Sequence, residues 1–473
     1  MRNAMQGYML VALVVLSPRA LAQESQAPPV LTLAQAVERA LAKNDRLLNT
    51  HDTVEQAGLS VRLARSAFRP KVVPNILGSF GQTDVSNQTY RLDVSQRFTT
   101  GTEIRASTGS STSRNQLGNS YNTDTTLQLS QPLLRGLGRG TARRGLTSAE
   151  ARLADAAREQ ALSEQQVTVE VAGVYYRLVA QKRLVEIADK SLERARRLLE
   201  ASTAKLGVGR VSQLDVFRAH QLVAQAEGQL LDARGAVEDA KDQLRTLLGE
   251  GSEFEFEVEP EIPKAAGGMP AEDAVKIALE RRLELRSAAE ALAEGERAAA
   301  YANNQLLPQL DVNLALTRRD TADAFASTFK VDHFRFATFF AISLPTDRTS
   351  QKIEYHNALI ERDRRRRAIE TLRIRIAEEA RRAVRQQQRL LKALEVAGAS
   401  VDFAGKEVEV ADLRYQRGLS NNLDVVNAEG NLLAAEGRRL AVQAELALAR
   451  LGLRATLGTL DPRKDVAVEP AAP

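Results

Sequence analysis

Residues 208–230 read VGRVSQLDVFRAHQLVAQAEGQL, and residues 414–440 read RYQRGLSNNLDVVNAEGNLLAAEGRRL. Each segment runs from a glycine, Gly209 or Gly418, through a Leu-Asp-Val triplet into residues whose apolar and small side chains recur every three or four positions. That recurrence is typical of an amphipathic helix, and a glycine in front of it is typical of a turn between helices. The two segments therefore predict the same helical turn twice, 209 residues apart.

The repetition extends beyond these turns to most of the chain. Pro70 and Pro308 lie 238 residues apart, as do aligned alanines in the helical segments that precede them. Pro132 and Pro345, which each end an apolar run, lie only 213 residues apart. The offset therefore falls by 25 between Pro70 and Pro132, so the first copy carries extra residues there. We interpret the chain as two internal structural repeats.

Each copy reads as a helix, a strand segment, a very long helix, a tight turn and a second long helix that returns. Residues 145–205 and 349–417 contain no proline and keep the helical spacing. At 1.5 Å per residue, such segments form rods of about 90–105 Å. Alanine and serine at the seam allow close packing against the returning helices, which we place at residues 211–248 and 420–458.

The strand segments alternate between apolar and polar residues. Leu310, Val312 and Leu314 point to one side of a strand, while Asp311 and Asn313 point to the other. One such face suits lipid and the other suits water, as in a transmembrane barrel. A soluble sandwich with one buried face has the same alternation. Too few strands are present to close a barrel within one chain, which favours a barrel shared between protomers.

The N-terminus predicts export. Arg2, an apolar run at residues 8–16 and the Ala-Leu-Ala triplet at 20–22 match a secretory signal peptide that is cleaved before Gln23. No later stretch reaches the roughly 18 apolar residues of a membrane-spanning helix. If the exported protein enters a membrane, we therefore expect it to do so as strands.

Composition excludes several function classes. The 473 residues include no cysteine, which excludes a disulfide framework, a thiolate metal site and a cysteine nucleophile. The net charge of +5 is small for this length, so no nucleic-acid partner is implied. The four histidines are isolated, and no nucleophile motif is present. We therefore predict no enzyme, no catalytic residue, no cofactor and no metal site.

The order, duplication and spacing of these segments resemble the TolC family of outer-membrane efflux and secretion channels. The resemblance covers nearly all of the mature chain. The segments that carry it are LTLAQAVERAL (31–41), LSQPLLRG (129–136), the two hairpin segments quoted first and ATLGTL (455–460). It implies a mainly α fold with a transmembrane β portion. In that fold, long antiparallel helical hairpins form a trimeric α-barrel tunnel in the periplasm, and the protomers share one outer-membrane β-barrel.

The resemblance also implies a domain organisation and partners. The expected partners are two further copies in a homotrimer, outer-membrane lipid, a periplasmic adaptor protein, and an inner-membrane pump or ABC transporter. The expected segments are a signal peptide (1–22), a first outer-membrane-efflux repeat (23–249, with strands at about 72–132 and a hairpin at 146–248), a linker (250–270), a second repeat (271–460, with strands at about 306–345 and a hairpin at 347–458) and a disordered tail (461–473).

The extra residues before Pro132 leave two arrangements open. The segment between Pro70 and Pro132 could hold four short strands, with a turn at residues 99–102, where the second copy holds two. Six strands per protomer would give eighteen in a trimer, instead of the twelve usual in the family. Alternatively, the extra residues form a longer extracellular loop.

Relatives in this family close the tunnel at the periplasmic tips with a tyrosine and two aspartates. The matching residues are Tyr415 and Asp424 on one hairpin and Asp215 on the other. The Leu-Asp-Val triplets also suit simple helix capping, which is compatible with a gate. Ser420 stands where an arginine tie is expected and Asn427 where a second carboxylate is expected, so the predicted lock is weaker.

The turns themselves occupy the position at which relatives meet their adaptor. Exposed apolar residues at a turn suit docking against another protein. The expected docking residues are Val208, Gly209, Arg210, Arg417, Gly418 and Leu419. These features predict an outer-membrane channel subunit of a tripartite efflux pump or a type I secretion system. The alternative is a periplasmic coiled-coil scaffold or adaptor protein that has no membrane barrel.

Overall fold

The computed structural model describes residues 29–78, 86–115, 118–263, 268–322 and 334–465. The expected signal peptide and the last eight residues of the expected tail lie outside them. In chain order the elements are β1 (Val30–Leu31), α1 (Leu33–Lys43), α2 (Asp45–Ser66), β2 (Lys71–Gly78), β3 (Ser86–Arg97), β4 (Glu103–Asn115), β5 (Gly118–Pro132), α3 (Arg139–Ala142), α4 (Arg144–Gly207), α5 (Gln213–Leu248), β6 (Glu257–Val258), α6 (Ala271–Arg281), α7 (Leu283–Gln305), β7 (Gln309–Ala322), β8 (Arg335–Ser343), α8 (Thr349–Gln416) and α9 (Asn422–Thr456).

The long helices agree with the sequence prediction. Helix α4 has 64 residues and α8 has 68, and each turns back into a shorter partner, α5 or α9. The four helices lie side by side in the order α5, α4, α9, α8, so the two hairpins meet along α4 and α9. The predicted class, a mainly α protein with long antiparallel hairpins and a strand portion, is confirmed.

Small residues fill the seams between these helices and allow them to pack closely. Near the tips the buried cluster is mostly alanine and leucine, with one aromatic ring from Tyr415. A larger cluster around Tyr175 and Tyr176 packs α1 and the short β1–β6 pair against α4 and α5. A third cluster packs α6 against α8. The long helices are therefore braced midway by the helices that open each repeat.

The two copies use the same junction at this brace. Gly249 ends α5 with φ 66°, and Gly458 follows α9 with φ 68°. An added Cβ at Gly249 would lie 2.5 Å from the carbonyl oxygen of Lys43, at the end of α1. An added Cβ at Gly458 would lie 3.0 Å from the carbonyl carbon of Arg281, at the end of α6. Each glycine thus allows the end of one helix to pass against the backbone of another.

The remaining strands form one antiparallel sheet in the order β2, β3, β4, β5, β7, β8. The segment between Pro70 and Pro132 therefore contains four strands. Its turn at residues 98–102 is tight, with the Phe98 N–H donating to the Thr102 carbonyl at 2.8 Å. The sheet is open, and β2 and β8 are its edges. No helix within the described ranges is both long and apolar enough to cross a membrane.

Candidate functional site at the hairpin tips

Both hairpins turn at a glycine with a positive φ. Gly209 follows α4 with φ 69°, and Gly418 follows α8 with φ 74°. In the first turn the N–H of Arg210 donates to the carbonyl of Lys205 at 2.9 Å, and the second turn contains the equivalent bond. These bonds define the Schellman motif, which satisfies the last carbonyls of a helix and favours glycine.

The turns present apolar and basic side chains to solvent. Val208 is 70% exposed and Leu419 is 72% exposed. Arg210 and Arg417 are exposed beside them. All six residues expected to dock an adaptor, the four named here and the two glycines, therefore lie on the surface of the two turns.

Asp215 starts α5 as part of a capping box. The Ser212 N–H donates to Asp215 Oδ2 at 3.0 Å, and the Asp215 N–H donates to Ser212 Oγ at 3.3 Å. The guanidinium of Arg218, one turn later, lies 3.7 Å from Asp215 Oδ1. The carboxylate is therefore occupied by its own helix, as the capping interpretation of the Leu-Asp-Val triplet predicts.

Tyr415 is buried at the end of α8 and fastens it to α4. Its hydroxyl oxygen lies 2.7 Å from Oγ of Ser202, which is also buried. Lys205 Nζ lies 3.8 Å from the centre of the Tyr415 ring and donates to the Tyr415 carbonyl at 2.6 Å. Burial raises the pKa of Tyr415, the Ser202 hydrogen bond lowers it, and the nearby charge of Asp215 raises it, with a net increase. The hydroxyl therefore stays protonated at neutral pH.

The structure brings the expected gate residues together only in part. The side-chain amide of Asn422 donates to the backbone carbonyl of Asp215, so the starts of α5 and α9 are tied. The hydroxyl of Tyr415 contacts Ser202 rather than a carboxylate, because Asp215 is held in its capping box. Asp424 is exposed in the first turn of α9 and makes no ion pair with the described part of the chain.

Two positions that depart from the family pattern lie close to these contacts in sequence. Ser420 Oγ is buried and has no hydrogen-bond partner among the described residues. Asn427 is exposed. Across the same described ranges, no three His, Asp or Glu side chains are placed as metal ligands would be.

A buried ion pair, which the sequence did not predict, joins the two hairpins above the tips. Arg194 Nε of α4 lies 2.8 Å from both carboxylate oxygens of Glu429 on α9. The side chain of Glu429 is 6% exposed and that of Arg194 is 30% exposed. The sequence does contain a signal for the burial of Glu429. The helical spacing of Val425, Ala428 and Leu432 places position 429 on the apolar face of α9.

Burial raises the pKa of Glu429, and the bond and charge of Arg194 offset only part of that increase. The folded chain therefore binds a proton at Glu429 more readily than the unfolded chain does. The folded state is thus less stable with Glu429 ionised than with Glu429 protonated, although the ionised carboxylate still neutralises the buried charge of Arg194. We expect the unfolding free energy of the wild type, relative to Glu429→Gln, to rise as pH falls through the range where Glu429 is protonated. Urea unfolding of both proteins in detergent at several pH values measures this difference. A constant difference, or one that shrinks as pH falls, would contradict the assignment.

The architecture of long helical hairpins joined to an open antiparallel sheet is that of solved outer-membrane channels. The outer membrane protein VceC of Vibrio cholerae superposes with a TM-score of 0.70 at 19% identity, covering 90% of this chain and 96% of that one. The CmeC outer membrane channel of Campylobacter jejuni gives a TM-score of 0.69 at 16% identity, covering 98% and 97%. At these identities the likeness concerns the fold.

The sequence match is to the family described as outer membrane efflux protein, over residues 36–250 and 274–459. The chain belongs to this family and is an outer-membrane protein. A similar curated relative is the pyoverdine export outer membrane protein OpmQ of Pseudomonas aeruginosa, with 24% identity over 300 residues. That alignment covers 61% of this chain and 60% of OpmQ, so it spans less than two thirds of the relative.

Proposed function

We propose that the chain is the outer-membrane channel subunit of a tripartite efflux pump or a type I secretion system. The observation that carries the proposal is the sheet, which continues into helical hairpins of 64 and 68 residues. One face of the sheet carries a row of apolar side chains through all six strands, namely Val72, Val94, Ala106, Leu127, Leu316 and Phe336, and the other face is mainly polar. Three copies form a homotrimer that conducts solutes passively across the outer membrane. Its helical tunnel extends into the periplasm. The chain is not an enzyme, and an inner-membrane pump or ABC transporter supplies the energy for transport.

The exposed turns support contact with a periplasmic adaptor. They carry apolar side chains at the very ends of the hairpins, where no other described element covers them. The docking surface of this proposal consists of Val208, Gly209, Arg210, Arg417, Gly418 and Leu419.

The residues behind the turns support a gate. Tyr415 and Ser202 hold α8 to α4, and Asp215 and Asn422 hold α5 to α9, so each bond joins one hairpin to the other. Asp424 lies at the exposed start of α9, and in this proposal its carboxylate faces the lumen. In this proposal a docking adaptor draws the two hairpins apart at these bonds and widens the tunnel.

Opening the gate by mutation tests the proposal. The double variant Tyr415→Phe with Asp215→Ala removes the hydroxyl bonded to Ser202 and the charge beside it. Leaving buried Ser202 without a partner costs the closed arrangement about 1–3 kcal/mol. Since 1.4 kcal/mol is a factor of ten, we expect the open population to rise about tenfold, and single-channel conductance in planar bilayers to increase.

The control removes a buried tyrosine hydroxyl elsewhere. Tyr175 donates to the Leu31 carbonyl at 3.0 Å in the brace region, away from the tips. Tyr175→Phe should lower stability and leave conductance at the wild-type level. Unchanged conductance in the double variant would remove the gate from the proposal, whereas a chain that forms no channel in bilayers would remove the proposed function.

A further inference from the structure

The hairpin of β3 and β4 is an integral part of the sheet. One row of paired residues crosses all six strands, namely Lys71, Ser95, Arg105, Gln128, Ala315 and Ala337. The turn of the hairpin packs at the helical end of the sheet, where an added Cβ on Gly101 would lie 3.0 Å from the Gly136 carbonyl oxygen. Among the described strands β2 pairs with β3 alone, so a hairpin outside the membrane would leave β2 detached from the sheet.

A glycine in the hairpin of β3 and β4 leaves room for an ion pair on the polar face of the sheet, which is the face that carries Arg91 and Asp124. Gly109 of β4 pairs with Arg91 of β3 and with Asp124 of β5. Because Gly109 has no side chain, Arg91 lies across it, with the guanidinium 3.8 Å from Asp124 Oδ1. This ion pair spans three strands on one face, so that face is continuous through the insertion.

The two edges of the sheet have no partner within the described chain. Every residue of β2 and of β8 is exposed. Strand β2 starts after α2 and β8 ends before α8, so the two strands run in opposite directions relative to the helical end. A second copy can therefore extend the antiparallel pattern by placing its β8 against this β2. In a lipid bilayer such pairing is needed, because unpaired backbone groups cost several kcal/mol each.

Apolar side chains on the polar face occur at these edges. The four inner strands place charged, hydroxyl, amide, glycine, alanine or proline residues on that face over the described side chains. The edges differ, since β2 carries Val73 and Leu77 there, and β8 carries Phe339. All three side chains are exposed in the single chain. Exposed apolar side chains on both edges can pack against each other where the edges of two copies pair.

We propose that all six strands of each copy, including the hairpin of β3 and β4, enter the shared barrel, so that the barrel has eighteen strands rather than the twelve usual in the family. At each junction β8 of one copy then pairs with β2 of the next along an apolar seam of Phe339, Val73 and Leu77. This inference rests on the trimer of the proposed function, and three copies with six strands each make eighteen strands. Barrel diameter grows with strand number, and barrels of 16–18 strands leave an aqueous channel. The membrane portion is therefore wide, and solutes are restricted at the helical tips.

Engineered cysteines test the seam, since the natural chain contains none. A disulfide forms only when the two Cβ atoms are about 3.5–4.5 Å apart. Phe339→Cys is combined in turn with Val73→Cys, Asn75→Cys and Leu77→Cys, three positions on the same face of β2 that sample the stagger between copies. We expect at least one combination to give covalent trimers on a non-reducing gel after oxidation in the membrane. Each single variant should give none.

The pair Val73→Cys with Thr126→Cys separates eighteen strands from twelve. These positions share a row but are separated by β3 and β4, so no disulfide should form. If the hairpin left the barrel, β2 would pair directly with β5 and this pair would close within one chain. Closure of that pair, or a conducting trimer in which no edge combination cross-links, overturns the inference alone. A chain that forms neither trimers nor channels overturns the proposed function as well.

Discussion

Replacing Gly249 by alanine is expected to destabilise the folded chain by roughly 3 kcal/mol or more. A left-handed conformation costs an alanine about 1–2 kcal/mol, and Gly249 has φ 66°. The new Cβ would also lie 2.5 Å from the Lys43 carbonyl oxygen and 3.0 Å from its carbonyl carbon. Both atoms belong to backbone at the end of α1, so relief requires a shift of the helix. We expect a clear drop in the thermal midpoint of unfolding and loss of assembled protein from the membrane fraction.

Gly209 supplies a matched control. It has φ 69°, yet an added Cβ would meet nothing within 4 Å. Gly209→Ala should therefore cost only the conformational term of about 1–2 kcal/mol. The second copy repeats the contrast, because Gly458 faces Arg281 at 3.0 Å and Gly418 faces open space. Equal losses within either pair would show that contact with the neighbouring helix end is unimportant.

Glu429→Ala is expected to cost roughly 3 kcal/mol of stability. Removing one partner of a buried ion pair typically costs about 3–5 kcal/mol, because the other charge remains buried and unpaired. The side chain of Arg194 is 30% exposed, which places the expected value at the lower end of that range. Its Nη2 is already buried without a hydrogen-bond partner, so water offers limited compensation. Chemical unfolding of the purified protein in detergent measures the loss.

A double variant separates the loss of the ion pair from the cost of leaving one buried charge unpaired. Arg194→Leu with Glu429→Leu removes both charges and fills the space between α4 and α9, so most of the stability should return. The matched control is the pair of Glu193 and Arg197 on α4, each 66% exposed. Glu193→Ala should change stability by no more than about 0.5 kcal/mol. A loss for Glu429→Ala no larger than this control would mean that the buried pair is dispensable.

The helical part of the fold was predictable because its signals are local. The lack of proline and the regular apolar spacing predicted a rod at residues 145–205, and the helix is Arg144–Gly207. The strand segments were also predictable, but their pairing was not. Alternation gives a strand its two faces and says nothing about its neighbour, so the sequence could not choose between an extra strand pair and an extracellular loop.

The site shows the same division between local and distant contacts. Ser212 and Asp215 are three residues apart, and their capping box follows from the sequence alone. The partner of Tyr415 does not, because Ser202 is 213 residues away on the other hairpin. Glu429 was overlooked for a related reason, since a charged residue on an apolar helix face becomes informative only when Arg194 is seen opposite.

The row of paired residues through all six strands has an evolutionary consequence. A strand pair inserted between β2 and β5 leaves the ends of the sheet at the same level, so the attachment of α2 before it and α4 after it is preserved. Because a threefold assembly contains three copies of the chain, one such insertion in the gene appears three times around the barrel. Pore circumference would then change in steps of six strands, and selection could adjust it while the apparatus at the opposite end stayed the same.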